Sequence, residues 1–305
     1  MRQLKTKPGA ERRSFRPDVI EKYTTEADNT LLNFLFESMP QRKRTTVKEL
    51  LKHNQVKAGS LVTTQFDYPL APGTEVQVNL TREFPVFYNR RIKIVYEDDD
   101  IIVANKGYGL LSMGNDKIKD GTAYSILREY VKWVDPRNKL FIVHRLDRDT
   151  SGLMMFAKTM KAKETMQHNW NNLVLERKYV CVVEGYVEND EGEIRSYLAE
   201  NSQFEVYSTN NPKEGQLAVT RYKVLRRGKG RTLLEVSLDT GRKNQIRVHC
   251  KDLGHPIVGD RKYGAKSSPV HRLCLHAQTL RFAHPDTRPD MNFQTPVANS
   301  FESLV

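Results

Sequence analysis

Apolar positions recur at helical spacing twice in the early part of the chain. Leu31, Phe34 and Leu35 share one face, and Val47, Leu50 and Leu51 repeat the arrangement in a second helix, with Thr45 as its N-cap candidate. Residues 56–62 read as two short strands around Gly59, and Pro72-Gly73 turns the chain into an alternating strand over 75–78. Residues 1–28 have no sustained period and are rich in charge, which predicts a mobile basic tail. Residues 83–93 read as a linker. Beyond it strands dominate, at 94–96, 101–104, 140–143, 153–157, 179–183, 218–225 and 233–238. The clearest helix there covers 122–134, with Ala123, Leu127, Tyr130 and Val134 on one face and Pro136 as its stop. Ile246, His249, Cys250 and Leu253 mark another, ended by Gly254 and Pro256. Strands outnumber helices without alternating regularly with them. The pattern therefore predicts an α+β fold: a large domain with a mixed, largely antiparallel β-sheet over 94–305 and a small N-terminal α/β domain over 29–82.

Charge adds a partner to this outline. The 49 Lys and Arg exceed the 37 Asp and Glu, leaving a net charge of +12 over 305 residues. Such an excess favours a polyanion, and nucleic acid is the commonest one. Over residues 42–57 of the small domain Arg42, Lys43, Arg44, Lys48, Lys52 and Lys57 are opposed only by Glu49. Two short helices and a hairpin with this basic concentration suit phosphate contact. The pattern resembles the S-four-like RNA-binding domain, and a solvated Lys/Arg face is the plain alternative.

The cysteines Cys181, Cys250 and Cys274 are odd in number and far apart, with too few close Cys or His neighbours for a zinc site. Buried thiols in a reducing cytoplasm are the expectation. The first sixteen residues carry no apolar stretch of the signal-peptide kind, and no run reaches membrane-spanning length. A cytoplasmic protein is expected, monomeric by default, with no cofactor, no metal and no membrane association.

Candidate chemistry concentrates in His144-Arg145-Leu146-Asp147-Arg148-Asp149-Thr150-Ser151-Gly152-Leu153, a loop flanked by apolar strands. Two buried strands hold such a loop rigidly, as a catalytic carboxylate requires. Arg145 and Arg148 favour an ionised neighbour and attract phosphate. Asp149, followed by Thr150, Ser151 and Gly152, reads as a turn residue. Loop chemistry alone leaves Asp147 open between catalysis and an ion pair.

The block from His144 to Asp147, with Thr150-Ser151-Gly152-Leu153 and Phe156-Ala157-Lys158, resembles the signature of the RluA-type RNA pseudouridine synthases. Asn105-Lys106 with Gly109 resembles the family's early Asn-Lys-Pro-x-Gly block, Gly107 standing where Pro is usual. Arg177-Lys178-Tyr179 resembles its Lys-x-Tyr strand. Residues 240–249 resemble its Gly-Arg-x-x-Gln-Ile-Arg-x-His block, with Lys243-Asn244 where many members have Thr-His. Leu253-Gly254-His255-Pro256, Gly259-Asp260 and Tyr263-Gly264 extend the likeness, which spans about residues 92–300. The resemblance implies the pseudouridine synthase fold and conversion of uridine to pseudouridine in structured RNA. It implies Asp147 as the nucleophile, Tyr179 stacking on the target base and Arg247 paired with Asp147. His144, His249 and His276 receive structural or RNA-contact readings. Arg145, Arg148, Arg242 and Lys243 join the basic residues of the small domain as RNA-contact candidates.

Ribosomal RNA is favoured over transfer RNA because of the small domain. One alternative is a non-catalytic RNA-binding or ribosome-assembly factor. Another is a metal-dependent nuclease built on Asp147, Asp149 and Asp260.

Overall fold

In the computed structural model, which describes residues 18–59, 61–114 and 118–305, the chain forms two units, Met1–Val86 and Phe87–Val305. The first contains β1 (Ile20–Thr24), β2 (Asn29–Thr30), α1 (Leu31–Ser38), α2 (Arg44–Lys52), β3 (Val56–Ala58), β4 (Leu61–Val62), β5 (Pro69–Leu70) and β6 (Glu75–Asn79). Its larger sheet runs β1-β6-β3-β4, and β2 pairs with β5. Leu31 and Leu35 of α1 and Val47 and Leu51 of α2 bury against Val56, Val76 and Val78, so the helical periodicity marks the core-facing side of each helix.

Two expectations change here. Residues 20–24, read as part of a mobile tail, form a strand antiparallel to β6, with Ile20 opposite Asn79 and Thr24 opposite Glu75. Charged Glu21 and Lys22 break its hydrophobic alternation, and only pairing across more than fifty residues of sequence makes it a strand. Residues 1–17 of that stretch lie outside the described residues. Lys43 rather than Thr45 occupies the N-cap of α2, with extended backbone and no side-chain cap bond.

The second unit contains β7 (Ile92–Glu97), β8 (Ile101–Lys106), α3 (Ala123–Val134), β9 (Phe141–Ile142), β10 (Ser151–Ala157), α4 (Met160–His168) and α5 (Trp170–Leu173). There follow β11 (Val174–Glu184), β12 (Glu191–Glu200), β13 (Val206–Thr209), β14 (Gln216–Gly228), β15 (Arg231–Leu238), α6 (Gln245–Asp252), β16 (Leu275–Ala283), β17 (Asp290–Gln294) and α7 (Asn299–Glu302). The sheet has 11 strands ordered β13-β12-β14-β15-β11-β16-β10-β8-β7, with β17 on β16 and β9 on β10. It is mixed and largely antiparallel, an α+β architecture. β10 and β16 pair in parallel at Ser151↔His276 and Gly152↔Ala277. A Cβ on Gly152, whose φ is +120°, would lie 2.2 Å from the Ala277 carbonyl oxygen, so only glycine lets these strands approach. Beyond Gly152 the chain continues as a fully buried strand against β8.

Helix α3 buries Ala123, Leu127 and Val131, whereas Val134, expected on that face, is exposed. Thr122 caps it, its hydroxyl accepting from the Ser125 N–H. Among the described residues no helix is long and apolar enough to cross a membrane.

Candidate active site

The loop from 143 to 150 enters β10 and is fastened along its length. Buried Leu146 is bracketed by Ser112, whose Oγ donates to the Leu146 carbonyl at 2.6 Å and accepts from its N–H at 3.1 Å. His144 Nε2 accepts the Met155 N–H at 2.9 Å, and its ring packs 4.9 Å from Trp170. Burial, with the Arg177 charge acting the same way, pushes His144 down to about 3, so this imidazole is a neutral acceptor and a structural group.

Lys106 is fully buried at the end of β8 and donates to the carbonyls of Leu110 (2.8 Å), Gly107 (3.1 Å) and Arg148 (3.1 Å). Burial lowers it to about 8 against the opposing pull of Asp147 and Asp149. At neutral pH it therefore remains an ammonium that ties the loop from 143 to 150 to β8. Across the loop Ser151 Oγ accepts from Arg272 Nη2 at 2.6 Å, which leaves its proton for His276 Nδ1 at 2.8 Å. His276 is thus a neutral relay to Thr295, as His249 is between Ser196 and Thr220.

A pocket of about 450 Å³ opens beside this loop, a volume suited to a small organic group. Asp147, Tyr179 and Arg247 all line it, with Arg145, Trp170, Arg177, Arg242, Asn244 and Ile246. Asp147 comes from the loop before β10, Tyr179 from strand β11 and Arg247 from the first turn of α6. A register shift between Lys178 and Tyr179 in the β11–β16 pairing occurs where Tyr179 meets the pocket. Burial raises the Tyr179 phenol above its ordinary value and Asp147 adds to this, while Arg177 opposes it. The phenol is protonated at neutral pH.

Among the described residues Asp147 accepts one short hydrogen bond, from Asn244 Nδ2 to Oδ2 at 2.6 Å. Arg247, implied by the resemblance as its ion-pair partner, stands at 3.8 Å. The short bonds of Arg247 go to buried Asp260, Nε to Oδ2 and Nη2 to Oδ1 at 2.7 Å each, a bidentate pair. Its guanidinium also lies 4.8 Å over the Tyr263 ring. Burial works against the Arg247 charge, but Asp260 and then Asp147 outweigh it and raise its pKa.

The RNA-contact candidates separate into groups. Arg145 and Arg242 line the pocket, although the Arg242 Nε is committed to the Leu217 carbonyl at 3.0 Å. Arg148 faces outward with Asp149 at 3.2 Å, and Lys243 is ion-paired with Glu200; neither lines the pocket. In the small unit Lys43, Arg44 and Lys48 are exposed, and Lys52 pairs with Glu49 at 3.5 Å. Arg42 is different: it bonds Glu21 of β1 at 3.0 Å, and its Nε is buried without a partner. It belongs to the framework of that unit.

Asp147, Asp149 and Asp260 are engaged by three different partners, Asn244, Arg148 and Arg247. Among the described residues no group of three or more His, Cys, Asp or Glu is arranged to hold a metal ion. The thiols of Cys181, Cys250 and Cys274 are free and buried.

Sequence reasoning did not assign Asn244, Arg177 or Trp170 to this site, and gave Asp260 only to the metal-dependent nuclease alternative. Asn244 and Asp260 lie inside matched blocks, and their position beside Arg247 and Gly259 was the signal available. Trp170 precedes β11 with no motif around it.

Residues 100–252 match the family model described as RNA pseudouridylate synthase. A Bacillus subtilis relative named uncharacterized RNA pseudouridine synthase YlyB is 34% identical over 280 residues, covering 89% of this chain and 91% of the relative. The Haemophilus influenzae ribosomal large subunit pseudouridine synthase D is 30% identical over 288 residues, covering 89% and 88%. Among solved structures, human RNA pseudouridylate synthase domain containing 4 shares the fold, with a TM-score of 0.57 at 24% identity over 68% of this chain and 90% of that one. The fold and the matched blocks define an RNA-modifying isomerase. The chain belongs to the RNA pseudouridylate synthase family, whose reaction converts uridine in RNA to pseudouridine.

Proposed function

We propose that the target is a uridine of ribosomal RNA, in preference to transfer RNA, and that Asp147 is the nucleophile. The observation that carries the reading is the convergence of Asp147, Arg247 and Tyr179 on one pocket. Relatives named ribosomal large subunit pseudouridine synthase D, at 30% identity, support the ribosomal target.

The reaction breaks the N1–C1′ bond, turns the freed uracil and joins C5 to C1′. C5 gives up a proton and N1 gains one, so the product is an isomer of the substrate. Glycosidases use two carboxylates, one to protonate the leaving group. Uracil leaves as a stabilised anion and stays in the pocket, so one carboxylate suffices. Asp147 attacks the target nucleotide as that bond breaks, and the bond so formed is broken again when C5 joins C1′, which returns the free carboxylate; Arg247 supplies a nearby fixed positive charge. Tyr179, its phenol protonated, offers a face on which the base stacks as it turns. A uridine in a helix reaches Asp147 only by leaving the stack, so base flipping accompanies binding.

Arg145 and Arg242 hold phosphates at the pocket mouth, and Lys43, Arg44, Lys48 and Lys52 hold flanking RNA as part of an S-four-like domain. The opening of α2 supports the second point. It has basic residues and no acid in its first turn, the reverse of what a helix dipole favours, and a bound phosphate would relieve that repulsion.

The test is a map of pseudouridines in RNA from cells lacking the gene, made with a pseudouridine-specific carbodiimide and primer extension. Large-subunit ribosomal RNA is expected to lose one or more stops, restored by the wild-type gene and not by Asp147→Asn. Loss confined to transfer RNA would overturn the target, and restoration by Asp147→Asn would overturn the nucleophile.

A further inference from the structure

We propose that Asn244 is a positioning residue for Asp147, and that Tyr263 in turn anchors Asn244. The inference rests on the reading of Asp147 as nucleophile. An ionised carboxylate only accepts hydrogen bonds, so the amide NH₂ of Asn244 must face Asp147 Oδ2 at 2.6 Å. Its Oδ1 then points to the Tyr263 hydroxyl, which donates to it at 3.2 Å. The two bonds define one orientation of the amide, and flipping it would set a carbonyl oxygen against the carboxylate. Asn244 is 8% exposed, so its amide is largely sheltered from bulk water, while the Asp147 side chain, 24% exposed, faces the pocket.

The backbone carries the same message. Asn244 has φ 54° and ψ 17°, the left-handed region, in the residue before α6. Asparagine tolerates that conformation better than most residues, and such conformations concentrate where local geometry serves a site. The turn is braced by its neighbour: the Gln245 side chain accepts from Thr240 Oγ1 and the Arg242 N–H and donates to Val219 O and Thr220 Oγ1.

Asn244 and Arg247 divide the work on Asp147. Asp260 holds Arg247 back at 3.8 Å, close enough to supply charge without a short bond. The amide supplies the short bond, on Oδ2 alone. Among the described residues Asp147 Oδ1 has no hydrogen-bond partner, which leaves that oxygen free to attack. An amide does not titrate, so here the bond persists at every pH at which Asp147 is ionised.

The experiment follows tritium release from RNA labelled with 5-tritiated uridine in cells lacking the gene, under single turnover with enzyme in excess, across pH. Displacing an attacking group costs about 10- to 100-fold, so Asn244→Ala is expected to lose that much rate with RNA affinity little changed. Asn244→Asp keeps size and backbone tolerance but sets a second carboxylate against the first. Its rate falls, and the acid limb of its pH profile moves to higher pH. Asn244→His restores part of the rate and introduces an ionisation in the histidine range that wild type lacks. Should Asn244→Ala fail to fold, Tyr263→Phe, which deletes only the anchoring hydroxyl, is expected to slow the rate several-fold. Wild-type rates and an unmoved acid limb in the Asn244 variants, with Asp147→Asn inactive, would overturn the positioning role alone. Full activity in Asp147→Asn would overturn the nucleophile and this inference with it.

Discussion

Arg247 stands 3.8 Å from Asp147, yet both of its short bonds, 2.7 Å each, go to Asp260. Asp260 has almost no exposed surface and is the buried counter-charge that aims the arginine. Removing one partner of a buried pair strands the other, at a cost of roughly 3 kcal/mol. Asp260→Asn is therefore expected to lower the denaturant midpoint markedly and to slow turnover. An unchanged midpoint would mean that the pair adds nothing to the fold.

Tyr179 is expected to act through its ring. Tyr179→Phe keeps the face and is expected to stay within a few-fold of wild type. Tyr179→Leu loses base stacking, about 1–3 kcal/mol, and is expected to fall further in single-turnover rate. Equal losses in the two variants would instead assign the work to the hydroxyl.

Acid sensitivity follows from the buried imidazoles. Burial, then Arg272, holds His276 down to about 4, and burial, then Arg177, holds His144 down to about 3. The unfolded chain binds these protons near the ordinary value of 6.5. Between these values the unfolded state carries more protons, so stability is fully present above about 6.5 and is lost as pH falls toward 4. Urea midpoints measured across that window are expected to fall, and to fall less steeply in His276→Gln. Identical slopes would contradict the linkage.

Salt separates the basic residues of the small unit. Replacing Lys43, Arg44 or Lys48 by Ala is expected to weaken RNA binding and to reduce the slope of log affinity against log salt by about 0.7–0.9 for each phosphate no longer neutralised. Arg42→Ala is expected to act on stability, because Arg42 is bound to Glu21. A salt slope unchanged by all three exposed substitutions would remove the RNA role of α2.

Much of the site was legible because its chemistry is local. The loop carrying Asp147 lies between apolar runs that form β9 and β10, and Arg247 lies on a helix whose apolar spacing is visible in the chain. The remainder depends on tertiary pairing that local pattern does not carry. β12, with the sequence EGEIRSYLAE, is half-exposed and charged, and becomes a strand through β13 and β14. β16 was hidden because its pairing is long-range: it runs antiparallel to β11 and meets β10 in parallel, both far earlier in the chain, with Gly152 permitting the second approach. The likeness to the family implied that Arg247 and Asp147 meet. It could not show that Asp260 holds most of the arginine, or that an asparagine in a left-handed turn makes the closest bond to the carboxylate.

The role of Asp147 is tested most directly by single-turnover pseudouridine formation in Asp147→Asn, with RNA binding and unfolding midpoint measured on the same preparation. The expected result is a loss of about 10³-fold or more, some 4 kcal/mol of barrier, with binding and stability retained. Pseudouridine formed at the wild-type rate would contradict it.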